Sequence, residues 1–111
     1  MSAAFARHFT TTAATVTPII ETAVNHAIAS DRLRVINRTG SSEVYFTVSV
    51  DPANPAPAPI VEGDETYVLS QTICEEFVPL DGLNGYLDVK VISAAATDVS
   101  VIIDNRHAGP R

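Results

Sequence analysis

The sequence predicts an all-β protein: a single antiparallel β-sandwich, or a small barrel, of about seven or eight short strands with an extended N-terminal arm. The stretch from Arg32 to Val50 alternates apolar with polar residues on both sides of a turn, which is typical of strands. Hydrophobic residues make up 46% of the chain, and Val, Ile and Thr each outnumber Leu, a composition that favours strands over helices. With 111 residues, the chain suits one domain.

The N-terminal third begins with a predicted flexible arm, residues 1 to 8, because chain termini are commonly disordered unless they dock. The sandwich domain is predicted for residues 9 to 104. Its first segment, residues 9 to 20, is dense in Thr and Val, and Pro18, which lacks an N–H for a ladder, predicts an edge strand or a strand end. This segment can pair with its own sheet or with a neighbouring subunit. Residues 21 to 30 fit a helical turn or a strand, and we favour the strand.

The centre of the chain predicts an antiparallel hairpin with one buried face, its turn lying at residues 37 to 42. The inward residues are Leu33 and Val35 in the first strand and Val44, Phe46, Val48 and Val50 in the second. Residues 51 to 59 follow with four prolines, which remove N–H donors and restrict the residues before them. This stretch is therefore predicted to be an extended surface loop outside the ladders.

The last part of the chain predicts further short strands, at residues 66–69, 73–79, 86–93 and 97–104, with turns at 62–65, 80–85 and 94–96. Alternation in the final two strands predicts one inward face, made of Leu87, Val89, Val91, Val99, Val101 and Ile103. Residues 105 to 111 are predicted to be a polar tail.

The composition also excludes several classes of protein. A formal charge of −6 argues against binding to nucleic-acid phosphates. Cys74 is the only cysteine, so neither an intrachain disulfide nor a cysteine-based metal cluster is predicted. Thr residues interrupt the apolar run that a signal peptide would need in residues 1 to 20, and no stretch is long enough to span a membrane. We therefore predict synthesis in the cytoplasm and no membrane contact.

No catalytic constellation stands out, so we predict that the protein is not an enzyme and has no cofactor. His8, His26 and His107 have no Ser or Cys beside them in a recognisable nucleophile motif. The acidic turn at residues 62 to 65 offers carboxylates of the kind that bind Ca²⁺, but its spacing matches no known calcium loop. We favour a solvated turn there and predict no metal site.

Three tyrosines, Tyr45, Tyr67 and Tyr86, occupy strand positions that are expected to face outward. Aromatic residues are enriched in protein interfaces, which favours an interaction surface. A carbohydrate-binding platform is an alternative use of the same side chains. A third alternative is that they close the rim of the sandwich.

Four segments follow one another in the order VINRTGSSEVYFTVSV, a proline-rich loop, EGDETYVL and LDVKVISAAATDVSVI. This order resembles a group of small β-sandwich virion proteins of tailed bacteriophages, over residues 32 to 103. The matching residues are Asn37, Arg38, Tyr45, Phe46, Thr47, Val48, Asp51, Gly63, Asp64, Thr66, Tyr67, Val68, Val89, Lys90, Val91, Ile92, Ser93, Ala96, Thr97, Val99 and Val101. The chain departs from the pattern after Leu69, where Ser70 and Gln71 replace a P-A-G turn, and its proline-rich loop is longer.

The resemblance implies a structural protein of the virion: a capsid decoration or minor capsid protein that binds and stabilises the head lattice. A neck or tail component is the first alternative, and a glycan-binding module displayed on the particle is the second. The implied partners are the major capsid protein or other virion proteins, with a homo-oligomer of three or more copies in the particle. We expect the interface to use Phe9, Thr11, Val16, Tyr45, Pro55, Pro57, Tyr67 and Tyr86.

Overall fold

A computed structural model describes residues 5–21, 32–58, 66–80 and 86–104. It confirms the all-β class, because the described residues form eight strands and no helix. The strands make two antiparallel sheets of four. The two sheets pack face to face as a β-sandwich around one hydrophobic core.

Each sheet takes strands from all parts of the chain. Sheet A contains, in spatial order, β1 (Phe5–Thr10), β8 (Asp98–Asp104), β3 (Arg32–Asn37) and β6 (Cys74–Pro79). Sheet B contains β2 (Thr17–Glu21), β7 (Leu87–Ser93), β4 (Val44–Ser49) and β5 (Tyr67–Leu69). The first strand thus pairs with the eighth, the second with the seventh, the third with the sixth and the fourth with the fifth. This nested pairing is the topology of an eight-stranded jelly roll.

The predicted hairpin over residues 32 to 50 is wrong. Its two strands form, but β3 lies in sheet A beside β6 and β8, whereas β4 lies in sheet B beside β5 and β7. The connection at residues 38 to 43 crosses from one sheet to the other, a separation of about 10 Å in packed sheets. Both strands have an apolar face, and crossing over lets the two faces meet each other in the core instead of lying side by side.

The core follows the predicted alternation. Leu33, Val35, Val44 and Phe46 are fully buried. The inward residues predicted for the last two strands are also fully buried: Leu87, Val89, Val91, Val99, Val101 and Ile103. Full burial of an aliphatic or aromatic side chain contributes about 1.5–3 kcal/mol relative to exposure. This core is therefore the main source of stability.

The N-terminal segment divides into two edge strands. β1 begins at Phe5, so the predicted boundary between arm and sandwich, after His8, falls inside this strand. The strand residues within 9 to 20 pair with their own sheets: β1 with β8, and β2 with β7. Pro18 lies in β2, which is an edge strand as predicted.

Several predicted features lie outside the described residues. They are the strand at residues 22 to 30, the acidic turn with Glu62, Asp64 and Glu65, most of the turn at 80 to 85, the tail at 105 to 111, and the histidines His26 and His107.

One end of the sandwich is cross-linked through the side-chain amide of Asn37, which is fully buried. Its Nδ2 donates to the carbonyl oxygens of Ser42 (2.8 Å) and Ser70 (3.0 Å). Its Oδ1 accepts from the N–H of Gly40 (3.1 Å) and from Thr97 Oγ1 (2.8 Å). All four hydrogen-bonding positions of the amide are thus satisfied.

Thr97 extends this set of bonds to the remaining connections at the same end. The N–H of Thr97 donates to Thr11 Oγ1 (3.0 Å), and Thr11 Oγ1 lies 2.6 Å from Ser93 Oγ. These bonds, with those of Asn37, join the connections at residues 11–16, 38–43, 70–73 and 94–97. We refer to them as the Asn37 network.

Candidate interaction surface

The outer face of sheet B is the candidate interaction surface, because it combines exposed apolar side chains with most of the residues predicted from the sequence. Strand alternation directs every second side chain away from the core. On β4 and β7 these outward positions are Tyr45, Thr47, Ser49, Asp88, Lys90 and Ile92. The surface has two halves, one covered by the chain itself and one open.

The covered half lies under the proline-rich loop, residues 51 to 58. Thr47 Oγ1 donates to the carbonyl oxygen of Pro57, and Ser49 Oγ donates to the carbonyl oxygen of Asn54 at 2.6 Å. Ala56 is only 4% exposed. The loop therefore folds back onto the sheet instead of projecting from it, while Pro55 and Pro57 remain exposed on its outer side.

Asp88 anchors this loop. Its side chain points outward from sheet B yet is fully buried, and its Oδ2 accepts from the N–H of Ala56 at 3.0 Å. The same oxygen accepts from Lys90 Nζ at 2.8 Å and from Tyr86 OH at 3.3 Å. Its Oδ1 has no hydrogen-bond partner among the described residues. A charged residue is seldom buried unless it is paired, and here Lys90 supplies the pairing.

The open half is a row of apolar side chains across the sheet. Val68 pairs with Tyr45, which pairs with Ile92. Thr17 pairs with Val91 in an antiparallel register, so the preceding residue, Val16, lies beside Ile92. Val68 is 45% exposed and the other three are partly buried. We call Val16, Ile92, Tyr45 and Val68 the apolar row.

A cleft of about 580 Å³ adjoins the covered half. It is lined by Val48, Ser49, Ala53, Asn54, Pro55 and Pro57. The cleft is open to solvent and does not enclose a cavity.

Five of the eight predicted interface residues belong to this surface: Val16, Tyr45, Pro55, Pro57 and Tyr86. Phe9 instead packs against the core. Thr11 is 2% exposed and bonded within the Asn37 network, so its side chain has no surface to offer a partner. Sequence reasoning missed Ile92 and Val68, although both occupy outward positions in strands that it predicted.

Tyr67 does not face outward as expected. It pairs with Phe46, a core residue, and its ring stacks on that of Phe46 with centroids 5.1 Å apart. Because paired residues lie on the same face of a sheet, Tyr67 closes the rim of the sandwich with 37% of its surface exposed.

Tyr45 and Tyr86 lie near opposite ends of sheet B. Tyr45 pairs with Ile92, which is six residues along the chain from Tyr86, so about 20 Å of extended chain separates the two tyrosines. The Tyr45 hydroxyl donates to Glu43 Oε1 at 2.7 Å, and this bond raises the pKa of Tyr45 above its ordinary value. Burial, followed by the charge of Asp88, raises the pKa of Tyr86. The three tyrosines therefore form no common aromatic platform for a sugar.

The structure brings one histidine to a hydroxyl: His8 Nδ1 lies 2.7 Å from Ser100 Oγ. The two residues are distant in sequence but paired between β1 and β8. Ser100 is 1% exposed in the middle of its strand, so a substrate has no access to its oxygen.

Cys74 is partly buried. Among the described residues no three His, Cys, Asp or Glu side chains are placed to hold a metal ion, and no helix is long and apolar enough to cross a membrane.

Fold and surface together define a small jelly-roll sandwich with a partly exposed apolar row on the outer face of one sheet. Comparisons with protein-family models, with curated proteins and with solved structures give no match.

Proposed function

We propose that this protein is a structural component of a tailed-bacteriophage virion, most specifically a decoration protein that binds the assembled head. The observation that carries the proposal is the apolar row on the outer face of sheet B. A row of apolar side chains across a four-stranded sheet is a surface of the kind that mediates association with another protein.

Two further features support the proposal. The jelly-roll topology is used by many viral capsid proteins, although a fold alone does not fix a function. The residues that carry the resemblance also have structural roles. Asn37 and Thr97 are hydrogen-bonded to each other. Asp51 accepts a hydrogen bond from Asn54 within the proline-rich loop, and Lys90 pairs with Asp88, the residue that anchors this loop. The resemblance therefore extends to the parts of the chain that give the domain its shape.

The partner on the head is the major capsid protein, and the apolar row with the adjoining loop is the surface that binds it. The Asn37 network makes the sandwich a rigid unit, which lowers the entropic cost of docking. Thr11, which is buried, and Phe9, which packs partly buried against the core, contribute to that rigidity and make no contact with the lattice.

The location is tested by labelling intact particles with an antibody against this chain and imaging them by electron microscopy. We expect label over the whole head. Label confined to one vertex or to the tail would instead assign the chain to the neck or tail. Absence of label, with the epitope accessible in the purified protein, would refute the proposal of a surface component.

The binding surface is tested with purified protein and particles that lack it. Val68→Asp and Ile92→Asp each place a charge in the apolar row, and we expect each to abolish co-sedimentation with particles. The matched control is Ile73→Asp, because Ile73 is an apolar residue with 71% exposure outside the row. Equal loss of binding in the control, or full binding by both row variants, would contradict the assigned surface.

A further inference from the structure

We infer that two copies of this protein exchange their first strands, so that β1 of each copy completes sheet A of the other. The partner is a second copy of the chain, and the exchanged interface consists of the residue pairs that β1 and β8 form in the structure. Exchange of an identical element is a low-cost route to a dimer, because no new surface has to fit. The inference concerns the chain alone and does not depend on the virion proposal.

β1 is joined to the described chain in a way that allows the exchange. It is an edge strand of sheet A, and among the described residues its only neighbour in a ladder is β8. The next strand, β2, belongs to sheet B and stays paired with β7. The connection at residues 11 to 16 is therefore the hinge about which β1 can leave its own sandwich.

The turn within this connection is strained. The N–H of Thr15 donates to the carbonyl oxygen of Thr12 at 3.1 Å and closes a four-residue turn. The third residue of the turn, Ala14, has a φ of 54°. Positive φ favours glycine, because the Cβ of any other residue is crowded by the backbone there. An extended connection, in which Ala14 returns to negative φ, releases this strain, and short strained hinges promote exchange between copies.

Opening the turn exposes little new surface. Residues 12 to 15 are already exposed in the closed form. The turn bond is lost, and so is the bond of 2.7 Å from the N–H of Ala14 to the carbonyl oxygen of Ser93. When extended, residues 12 to 16 span about 16 Å, more than the separation of about 10 Å between packed sheets. The opened connection is therefore long enough to carry β1 to an adjacent copy.

Thr11 moves with β1 and holds the exchanged strand in register. Its N–H donates to the carbonyl oxygen of Thr97 at 2.9 Å, and its Oγ1 accepts from the N–H of Thr97 at 3.0 Å. The same Oγ1 lies 2.6 Å from Ser93 Oγ. In the exchanged dimer these bonds are made to Ser93 and Thr97 of the other copy. Buried polar contacts thus anchor the end of the strand next to the hinge, in addition to the β ladder.

The first test changes the hinge in the purified full chain. Ala14→Gly removes the strain of the closed turn, and it should raise the dissociation constant of the dimer roughly tenfold or more, because two turns close when one dimer separates. Ala14→Pro cannot adopt a positive φ and has no N–H to donate to Ser93, so it should shift the equilibrium toward the dimer. Sedimentation equilibrium measures both changes. The matched controls, Ala58→Gly and Ala58→Pro, alter an exposed alanine of the proline-rich loop and should leave sedimentation unchanged.

The second test traps the exchanged strand with a disulfide. Thr10 and Asp98 are paired between β1 and β8, and Thr10 Oγ1 donates to Asp98 Oδ1 at 2.5 Å on the exposed face. Thr10→Cys/Asp98→Cys, combined with Cys74→Ser, places two thiols at this contact. Oxidation joins the thiols within one chain when β1 lies in its own sheet, and between two chains when β1 is exchanged. After incubation at millimolar concentration, we expect a band of twice the chain mass on a denaturing gel without reductant.

The control for trapping is Ile36→Cys/Glu75→Cys in the same Cys74→Ser background. These two positions are paired between β3 and β6, which stay together in one copy, so only a band of single chain mass is expected. The inference is overturned if the Thr10→Cys/Asp98→Cys chain forms only intrachain bonds, or if the control gives an equally strong dimer band. It is also overturned if Ala14→Pro folds, as judged by circular dichroism, and remains as monomeric as Ala58→Pro. If Ala14→Pro does not fold, the disulfide test decides.

Discussion

Thr97 Oγ1 donates a hydrogen bond of 2.8 Å to Oδ1 of Asn37, and through it the connection between β7 and β8 is tied to the connection between β3 and β4. The two residues are 60 positions apart in sequence. Both are buried, so the bond is shielded from competing water. Each partner also holds other connections, which makes this pair the centre of the Asn37 network.

Asn37→Ala should lower the free energy of unfolding by about 3 kcal/mol, because it leaves four hydrogen-bonding groups, two of them in buried bonds, without their partner. Thr97→Val, which keeps the shape but removes the hydroxyl, should cost about 1–2 kcal/mol. Urea unfolding of both single variants and of the double variant measures their coupling. The cost of the double variant should be smaller than the sum of the two, since the singles break one shared bond. Additive costs would show that the bond contributes nothing.

Gly40→Ala should destabilise the protein by about 2–4 kcal/mol. Gly40 has a φ of +67°, and an added Cβ would lie 2.6 Å from the backbone carbon of Thr72. Because the obstacle is backbone, the connection at residues 70 to 73 would have to move.

Ala14 gives the matched comparison for this prediction. It has a φ of 54° without being glycine, so Ala14→Gly should relieve strain and raise the melting temperature slightly, despite the larger entropy of the unfolded chain. Thermal unfolding of both variants checks the pair. A neutral Gly40→Ala would contradict the close approach of the two connections.

Lys90→Met should destabilise the protein by about 2 kcal/mol, because it leaves Asp88 buried without its cation. The expected cost is below that of a fully buried pair, since the Lys90 side chain keeps 22% of its surface exposed. The double variant Asp88→Asn/Lys90→Met should recover part of the loss, as the buried charge is then removed as well. Chemical denaturation measures these differences. Equal stability of Lys90→Met and the unaltered protein would show that the carboxylate does not need its cation.

Asp51 should titrate below the ordinary range for an aspartate. The side chain of Asn54 donates to its Oδ2 at 2.8 Å and the N–H of Ala53 donates to its Oδ1 at 3.0 Å, and these bonds lower the pKa of Asp51. Because the pKa is lower in the folded state than in the unfolded state, the stabilisation is present above the unfolded pKa. It is lost as the pH falls through the folded pKa.

Carbon NMR of the Asp51 carboxyl measures this pKa directly. Asn54→Ala removes the stronger donor and should move the midpoint upward toward the ordinary value. Ser41→Ala, at an exposed hydroxyl in another connection, should leave the midpoint unchanged. An unaltered midpoint in Asn54→Ala would mean that the loop does not hold this geometry in solution.

Local pattern was sufficient to predict which side chains face the core, because alternation depends on the pleat of a single strand. Which strands are hydrogen-bonded neighbours was not predictable in the same way. The strands at Leu33 and Phe46 each showed an apolar face, but whether those faces lie side by side or opposite each other depends on partners far along the chain. The short turn at residues 37 to 42 favoured a hairpin in the sequence analysis. In the structure the same connection instead leads from β3 in sheet A to β4 in sheet B.

The candidate surface also depends on contacts between distant parts of the chain, which the local sequence pattern does not predict. Asp88 occupies an outward position, and only the proline-rich loop folding over it makes the side chain buried. The position of Asn37 did carry a signal, since it continues the inward series of Leu33 and Val35. A polar residue at an inward strand position requires partners in the core, and that reasoning would have located the Asn37 network.

The pairing of the first strand with the eighth has a consequence for how the protein is made. Phe5 is aligned with Ile103, so the ladder of β1 has no partner until β8 has also left the ribosome. Contacts between such distant segments form late, because a long loop must close first. During synthesis the N-terminal strand is an open edge, which chaperones or other nascent chains can bind. The first strand of the sandwich to be translated is thus among the last to be paired.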